Sequence, residues 1–262
     1  MDTSLKGKKA IVGGGSKGIG RATAMELAAL GASVTVMARS KEALEEAVEG
    51  LSKEKGQEHH ALVADFSNLA LLKEMISGHL FACGPCHILI NNSGGPPPGP
   101  VHTASEEEFL AAFTQHLLAN HIMMQALLPG MREAGYGRII NIISTSVKQP
   151  LKGLGVSNTI RGAVANWAKT LAGEIAADGI TVNNVLPGAT DTDRLAEIIK
   201  GKARKQQKAP EDIAEEEKSH IPAGRFGTPE ELAQAIAFLA SPAASYINGI
   251  NLPVDGGRTG CL

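Results

Sequence analysis

A glycine-rich turn between an apolar segment and a helix-forming segment is the feature that most constrains the fold of this chain. Residues 10–12 are apolar, residues 13–20 read GGGSKGIG, and a helix-forming run extends from there to Leu30. Glycine lacks a Cβ atom, so such a turn brings backbone N–H groups against a phosphate, which the positive end of the following helix also attracts. The order strand, glycine turn and helix therefore predicts a dinucleotide-binding site.

The remainder of the chain alternates between strand and helix patterns. Further strands are predicted at residues 33–38, 61–64, 87–90, 137–144, 179–186 and 249–257, and helices at 41–55, 69–80, 105–131, 156–177 and 229–240. This alternation is typical of a doubly wound parallel sheet with helices on both faces. The sequence therefore predicts one α/β domain with a single-domain Rossmann fold over residues 1–262.

Residues 190–226 interrupt the alternation, because they are charged and helix-prone and contain no strand pattern. We interpret this segment as an inserted lid or substrate loop, with disorder of residues 200–218 as the alternative. Six of its basic residues suit either an acidic carrier or coenzyme A, or simply a solvated helix face: Arg194, Lys200, Lys202, Arg204, Lys205 and Lys208.

Charge and apolar content exclude several other classes of protein. The formal net charge is -2, which gives no sign of a nucleic-acid surface. No apolar run is long enough to span a bilayer, and the first residues lack the apolar segment of a secretion signal. Together with only three cysteines, this predicts a cytoplasmic protein without nucleic-acid or membrane partners.

Cys83 and Cys86 have the spacing of a thioredoxin-type redox pair. Such a pair is activated at the start of a helix, whereas this one leads into a predicted strand. We therefore favour a Gly-Pro turn over a redox function. No cluster in the sequence predicts a metal site.

Two basic residues indicate which dinucleotide the site takes. The second predicted strand ends at Arg39, and Lys17 lies within the glycine turn. At the end of this strand an acidic residue binds the ribose 2′-hydroxyl of NAD, whereas a basic residue suits the 2′-phosphate of NADP. Two cations near one phosphate favour NADP(H).

Taken together, these segments resemble the short-chain dehydrogenase/reductase superfamily over nearly the whole chain, and most closely the branch labelled 3-oxoacyl-carrier-protein reductases. The matching motifs are the glycine turn, Asp65, Asn91-Asn92-Ser93-Gly94, Ser144, Pro187-Gly188 with Thr192, and residues 225–231 and 254–257. The resemblance implies a nicotinamide cofactor, a small carbonyl or acyl-thioester substrate, and a homodimer or homotetramer. It also implies a cofactor site made of Gly14, Ser16, Lys17, Gly18, Ile19, Gly20, Arg39, Ser40, Asp65, Phe66, Asn92, Ser93, Gly94, Arg161, Pro187, Gly188, Thr190 and Thr192.

The catalytic positions depart from the family pattern. Ser144 matches the family serine, but Ser157 stands where the family has tyrosine and Arg161 where it has lysine. His116 falls at the position of the family asparagine, and Ser93 replaces the usual alanine. The two tyrosines of the chain lie elsewhere, at 136 and 246.

The loss of the tyrosine removes the usual proton donor. A serine hydroxyl is far less acidic than a phenol, and an arginine remains protonated and cannot relay a proton as lysine does. Two hypotheses remain open. In the first, Ser144 and Ser157 polarise a carbonyl, Arg161 supplies charge, and His116 or an adjacent water supplies the proton, since histidine has an ordinary pKa near 6.5. In the second, the chain binds NADP(H) as a sensor, scaffold or partner subunit without turnover.

Overall fold

Seven parallel strands form one sheet in the order β3-β2-β1-β4-β5-β6-β7 in the computed structural model, which describes residues 1–261. The strands are β1 (Lys9–Gly13), β2 (Ser33–Ala38), β3 (His60–Val63), β4 (Ile88–Asn91), β5 (Gly137–Ile142), β6 (Ile180–Pro187) and β7 (Asn251–Val254). The strand order reverses between β1 and β4, and ligands of such sheets bind beyond the carboxyl ends at this point. The predicted doubly wound parallel sheet is confirmed.

Nine α-helices surround this sheet in the part of the chain that the structure describes. They are α1 (Gly18–Ala29), α2 (Lys41–Glu49), α3 (Leu69–Cys83), α4 (Glu106–Phe113), α5 (Ala119–Glu133), α6 (Gly155–Glu174), α7 (Asp193–Gln206), α8 (Pro210–Ser219) and α9 (Pro229–Ala240). Buried residues of α1, α2 and α9 pack on one face of the sheet. Those of α3, α5 and α6 pack on the other face. The sheet is therefore covered on both sides, as its nearly continuous apolar strands require.

The helix predicted over residues 105–131 contains a change of helical pitch. A π-helical turn, Thr114–Leu118, separates α4 from α5. Such turns insert one extra residue into an α-helix and are frequent at functional sites. His116 lies in the middle of this turn and is 1% exposed. Hydrophobic periodicity alone does not reveal the insertion, because apolar residues continue on both sides of it.

The segment 190–226 folds as two helices rather than as an irregular loop. Its helices α7 and α8 bury Ile199, Ala203 and Ile213 against each other. The two ends of the segment meet where Thr190 forms a parallel bridge with Gly227. The disorder considered for residues 200–218 therefore disagrees with the structure, because an apolar contact between two helices orders this region.

Three of the six basic residues named above for this segment pair with acidic neighbours. Lys202 pairs with Glu217, Lys208 with Glu216 at 3.0 Å, and Arg194 with Glu197 at 3.7 Å. Arg258, near the end of the chain, reaches Glu217 at 3.1 Å. The contacts favour the solvated, ion-paired helix face over a site for an acidic carrier.

Candidate active site

The glycine turn leaves no room for side chains at three of its positions, 13, 14 and 20. A Cβ atom on Gly20 would lie 2.1 Å from the carbonyl oxygen of Gly14, and one on Gly14 would lie 2.7 Å from Nδ2 of Asn92. Gly14 and Gly18 have φ angles of 56° and 51°, which side chains disfavour. Asn92 Nδ2 donates a hydrogen bond of 3.2 Å to the carbonyl oxygen of Gly13, which ties the turn to the end of β4.

The start of α1 is open to an anion. Its N-cap, Lys17, makes no capping hydrogen bond, and the first turn contains no acidic side chain. The N–H groups at a helix start have no partner within the helix, and they attract negative charge. A pyrophosphate therefore fits this cradle of Gly14, Ser16, Lys17, Gly18 and Ile19.

Two cations at the adenosine end form no close ion pair within residues 1–261. Arg39 and Lys17 are both exposed, and neither forms an ion pair there. Ser40 instead caps α2 by accepting a hydrogen bond from the Ala43 N–H at 3.3 Å. Lys17 lies in the glycine turn and Arg39 directly after β2. A 2′-phosphate would lie between these positions in a fold of this type.

The acidic residue beyond β3 has a different role. Asp65 accepts hydrogen bonds from the Ser67 N–H at 2.9 Å and from the Ser67 hydroxyl at 2.7 Å. These bonds lower the pKa of Asp65, and the charge of Arg39 adds to the effect. Phe66 lies against the glycine turn, 3.2 Å from where a Cβ on Gly13 would stand. Asp65 thus shapes the turn that places Phe66 beside the predicted nucleotide site.

The predicted nicotinamide end is built by the loop after β6. Gly188 packs so closely on Asp255 that a Cβ there would lie 2.6 Å from the Asp255 Cα. Thr190 Oγ1 donates a hydrogen bond of 3.3 Å to the Gly188 carbonyl oxygen. Thr192 caps α7 and lies against Gly18, with its methyl group 3.3 Å from a Cβ built there. The base of segment 190–226 thus contacts the phosphate turn, which the sequence did not reveal.

A ladder of four asparagine amides crosses the sheet beneath this end. Asn91 donates to Asn141, Asn141 to Asn184 and Asn184 to Asn251, each at 2.8 Å. These residues are paired in register on β4, β5, β6 and β7. A buried amide without a partner costs about 1–3 kcal/mol, so the ladder fixes the relative positions of the strands that lead into the site. Its signal in the sequence is an asparagine within each of these four strands.

Ser144 and Arg161 lie on two elements that pack together. Ser144 follows β5, and its Oγ accepts a hydrogen bond of 3.1 Å from the Ser146 N–H. Helix α6 packs against the turn after Ser144 and against the π-helical turn. Arg161 of α6 is 8% exposed and donates a hydrogen bond of 3.2 Å to the Ile142 carbonyl oxygen, two residues before Ser144. The packing brings Ser144, Arg161 and the turn of His116 to one region.

The charge of Arg161 persists despite its burial. Burial lowers the pKa of Arg161 to about 10, which leaves the guanidinium protonated at neutral pH. Ser157 lies one helical turn before Arg161 on the same face of α6. It is half-buried and has no hydrogen-bond partner in the described part of the chain. The site therefore offers a free hydroxyl next to a fixed cation.

His116 differs from the expectation of an ordinary titrating histidine. Burial and, to a smaller extent, the charge of Arg161 lower the pKa of His116 to about 3. The ring is therefore neutral at pH 7, and an imidazolium proton is not available for transfer. Its Nδ1 lies 2.8 Å from the Ser93 Oγ, whereas its buried Nε2 has no partner among residues 1–261. An expected pKa near 6.5 is wrong for this environment.

The Pro-rich connector after β4 closes the other side of the site. Gly99 bridges to Leu154 just before α6, and Gly155 approaches Val101 so closely that a Cβ would lie 2.5 Å from the Val101 Cα. Gly94 is exposed, and its carbonyl oxygen accepts a hydrogen bond of 3.3 Å from Gln115. The connector is thus held near the start of the helix that carries Ser157.

Cys83 and Cys86 do not have the environment of a redox pair. Cys83 ends α3, where the helix dipole disfavours a thiolate, and burial raises the pKa of Cys86 to about 12. Gly84 between them has a φ angle of 77°, which a turn requires.

Across residues 1–261, no group of three or more His, Cys, Asp or Glu side chains is placed to hold a metal ion. No helix there has the length and apolar content to cross a membrane.

Known proteins are similar to this chain in sequence and in architecture. The chain is 36% identical over 259 residues to the 3-oxoacyl-[acyl-carrier-protein] reductase FabG of Pseudomonas aeruginosa, which covers 97% of this chain and 98% of that protein. It is 33% identical over 255 residues to the NADPH-dependent reductase BacG of Bacillus subtilis, covering 95% and 97% of the two chains.

A solved structure with a bound cofactor shares the whole fold. The L-sorbose reductase of Gluconobacter frateurii, complexed with NADPH and L-sorbose, superposes with a TM-score of 0.93 at 30% identity and covers 100% of both chains. The family model described as enoyl-(acyl carrier protein) reductase matches residues 14–259. On this full-length similarity and the fold described above, the chain belongs to the short-chain dehydrogenase/reductase superfamily.

Proposed function

We propose that this protein is an NADP(H)-dependent reductase of a ketone, quinone or 3-oxoacyl-type carbonyl. One observation carries the proposal. The hydroxyl groups of Ser144 and Ser157 and the buried guanidinium of Arg161 lie in one region, beside a glycine turn that a pyrophosphate fits. Relatives that are named as reductases, and a neighbour solved with NADPH, support both the reaction and the cofactor. The proposal rests on Ser144, Ser157 and Arg161 acting together.

The chain's own residues would hold the cofactor at three points. The N–H groups at the start of α1 take the pyrophosphate, and Arg39 and Lys17 take the 2′-phosphate. Gly188, Thr190 and Thr192 form the nicotinamide end. When bound in its reduced form, NADP supplies a hydride to the carbonyl carbon of the substrate.

The hydroxyl groups polarise the substrate. Ser144 and Ser157 donate hydrogen bonds to the carbonyl oxygen, and they stabilise the negative charge that develops there during reduction. Arg161 supplies a fixed positive charge without losing its proton. His116 or an adjacent water supplies the proton that completes the alcohol. Because the pKa of His116 is lowered to about 3, the neutral ring is the form that takes part.

The cations at the adenosine end determine the choice between NADPH and NADH. Replacing both Lys17 and Arg39 with alanine removes two charge-assisted contacts to the 2′-phosphate. We expect the affinity for NADPH to fall about 10- to 100-fold while that for NADH is unchanged. Calorimetric titration of both cofactors measures this, with Lys73→Ala on an exposed face of α3 as the control. Equal losses for NADPH and NADH would contradict the assignment.

We also propose that residues 190–226 act as a lid. Their base contacts the phosphate turn through Thr192 and Gly18, so cofactor binding and the position of α7 are coupled.

We further propose a homodimer or homotetramer in the cytoplasm. Exposed apolar side chains on α4, Leu110 and Phe113, support contact with a second copy, and light scattering tests it.

A second candidate function is an NADP(H)-binding sensor, scaffold or partner subunit without turnover. The observation that favours it is the presence of Ser157 and Arg161 where the family resemblance implies tyrosine and lysine. An assay of NADPH oxidation in the presence of carbonyl compounds separates the two. Turnover supports the reductase, whereas tight NADPH binding without turnover supports the sensor.

A further inference from the structure

Four of the eight histidines of the chain lie at or beside the amino ends of the strands, at the opposite edge of the sheet from the glycine turn. His60 begins β3, and His59 directly precedes it. His87 directly precedes β4, and His79 of α3 lies with its Nε2 3.0 Å from the Thr35 Oγ1 on β2. The candidate active site uses none of these four residues.

Two of these rings accept hydrogen bonds from the main chain where neighbouring strands begin. The Lys9 N–H donates to His87 Nδ1 at 3.0 Å, and the Val34 N–H donates to His59 Nδ1 at 3.1 Å. Lys9 begins β1 and Ser33 begins β2, and these two residues are paired in register. Each ring therefore satisfies a main-chain N–H group at the same end of the β1–β2 pair.

Both bonds require a neutral ring. A main-chain N–H can only donate, so Nδ1 of each histidine must hold a lone pair rather than a hydrogen. The His59 Nε2–H donates to the Ser52 carbonyl oxygen at 2.8 Å, which commits both nitrogens of that ring. The His87 N–H donates to the Lys9 carbonyl oxygen at 2.8 Å, so His87 is joined to β1 through its main chain as well as its ring. A proton added to either Nδ1 would place two donors face to face and break the bond.

The surroundings of His59 oppose its protonation. Burial is the main cause that lowers the pKa of His59. The hydrogen bond to Ser52 opposes this effect, whereas Lys53 and His60 add to it. Glu58 is the one carboxylate among the residues that line the neighbouring cavity between β1, β2 and α3, and it is exposed to solvent. A proton on His59 is therefore disfavoured in the folded chain.

His87 lies among cations as well. Burial lowers the pKa of His87, and the charges of Lys8 and Lys9 add to the effect. On the other side, β5 contributes Arg138, whose N–H donates to the His87 carbonyl oxygen at 3.0 Å. The adjacent Cys86 is a neutral thiol, because burial raises its pKa to about 12. The folded chain therefore keeps His87 neutral at pH values where a free histidine begins to take up a proton.

We infer that His59 and His87 form an acid-sensitive clamp, which holds the amino ends of β1 and β2 only while both rings are neutral. Above the ordinary histidine pKa near 6.5, neither the folded nor the unfolded chain binds protons at these residues, so the clamp is fully effective. Below that pH the unfolded chain takes up a proton on each residue and the folded chain does not. The stabilisation is therefore lost as the pH falls toward the lowered pKa values of the folded chain.

The clamp acts on the two strands that lead to the proposed phosphate contacts. β1 runs into the glycine turn, and β2 ends directly before Arg39. Acid conditions therefore loosen these strands at their amino ends, away from the cofactor. The inference does not depend on carbonyl reduction, so it can fail or hold whether or not the protein turns over NADPH.

The protonation of the two rings can be measured in the wild-type protein. The ¹⁵N spectrum of histidine distinguishes a protonated from an unprotonated ring nitrogen, and the single variants His59→Asn and His87→Asn assign the two sets of signals. We expect both rings to have an unprotonated Nδ1 at pH 7 and to stay neutral at pH 6, where a free histidine is mostly protonated. A hydrogen on Nδ1 at pH 7, or a ring that is mostly protonated at pH 6, would overturn the inference.

Urea unfolding at pH 7 and pH 5.5 measures the effect of the clamp on stability. In the double variant His59→Asn/His87→Asn, the asparagine side chain keeps an acceptor near the position of Nδ1 but cannot take up a proton. The unfolding equilibrium constant should rise on acidification by a factor about 5- to 70-fold smaller than in the wild type. Contributions from the other titrating groups are common to both proteins and cancel.

His220→Asn is the matched control, since His220 is exposed directly after α8, and it should keep the wild-type dependence on pH. An equal rise of the unfolding constant in the double variant and in the wild type would overturn the clamp. If the double variant does not fold at pH 7, the titration of the wild-type rings decides the question.

Discussion

Replacing Gly20 with alanine is expected to abolish tight binding of NADPH. The added Cβ would lie 2.1 Å from the Gly14 carbonyl oxygen and 2.8 Å from Nδ2 of Asn92, so the phosphate turn must move. We expect the affinity to fall by at least about 100-fold, which corresponds to roughly 2.7 kcal/mol, and overpacking to lower the free energy of unfolding by about 1–3 kcal/mol. Calorimetric titration and urea unfolding measure the two effects.

Gly78→Ala is the control for this variant. Gly78 also lies within a helix, α3, but a Cβ there meets nothing within 4 Å. Its replacement should leave NADPH binding unchanged and raise the free energy of unfolding by about 0.5–1 kcal/mol, because alanine loses less backbone entropy. NADPH affinity of wild-type strength in Gly20→Ala would show that the glycine turn is not the pyrophosphate site.

Replacing Arg161 with alanine is expected to lower kcat by about 10²- to 10³-fold, as for other groups that stabilise charge in a transition state. The guanidinium is fixed by its bond to the Ile142 carbonyl oxygen and is protonated at neutral pH, so its removal leaves the developing oxyanion without the cation. Rapid-mixing assays of NADPH oxidation under saturating substrate measure this loss.

Two further variants define the role of Arg161. Arg161→Lys keeps a positive charge but loses the planar set of donors, so its kcat should lie between those of Arg161→Ala and the wild type. Lys169→Ala, on an exposed part of the same helix, should retain wild-type kinetics. If Arg161→Ala turned over as fast as Lys169→Ala, the guanidinium would have no part in the reaction.

The fold could be predicted from local signals that the structure confirms. The glycine turn joins β1 to α1, and Pro229 at the start of α9 follows Thr228, which forms a capping box with Glu231. These signals depend on neighbours in the chain. Helix α2 ends at Glu49, with Gly50 as its C-cap, which is earlier than its charge pattern indicates. Helix-forming residues continue past Gly50, so the composition alone does not mark where the helix ends.

The features that the sequence did not reveal depend on contacts between distant residues. The asparagine ladder needs four strands in register, and the π-helical turn packs against α6, which lies far along the chain. The lowered pKa of His116 comes from burial and from Arg161, 45 positions further along the chain. Residue type alone predicts an ordinary histidine that titrates near pH 6.5, whereas the fold lowers the pKa and keeps this ring neutral well below that pH.

A reductase function requires that Ser144, Ser157 and Arg161 support reduction of a carbonyl. The most direct measurement is the consumption of NADPH and of NADH by the purified protein with diketones, quinones and 3-oxoacyl thioesters, alongside calorimetric titration of each cofactor. A reductase function predicts tight binding of NADPH and its carbonyl-dependent oxidation with at least one of these substrate classes. Tight binding of NADPH without oxidation by any of them would contradict it and assign the site to nucleotide binding alone.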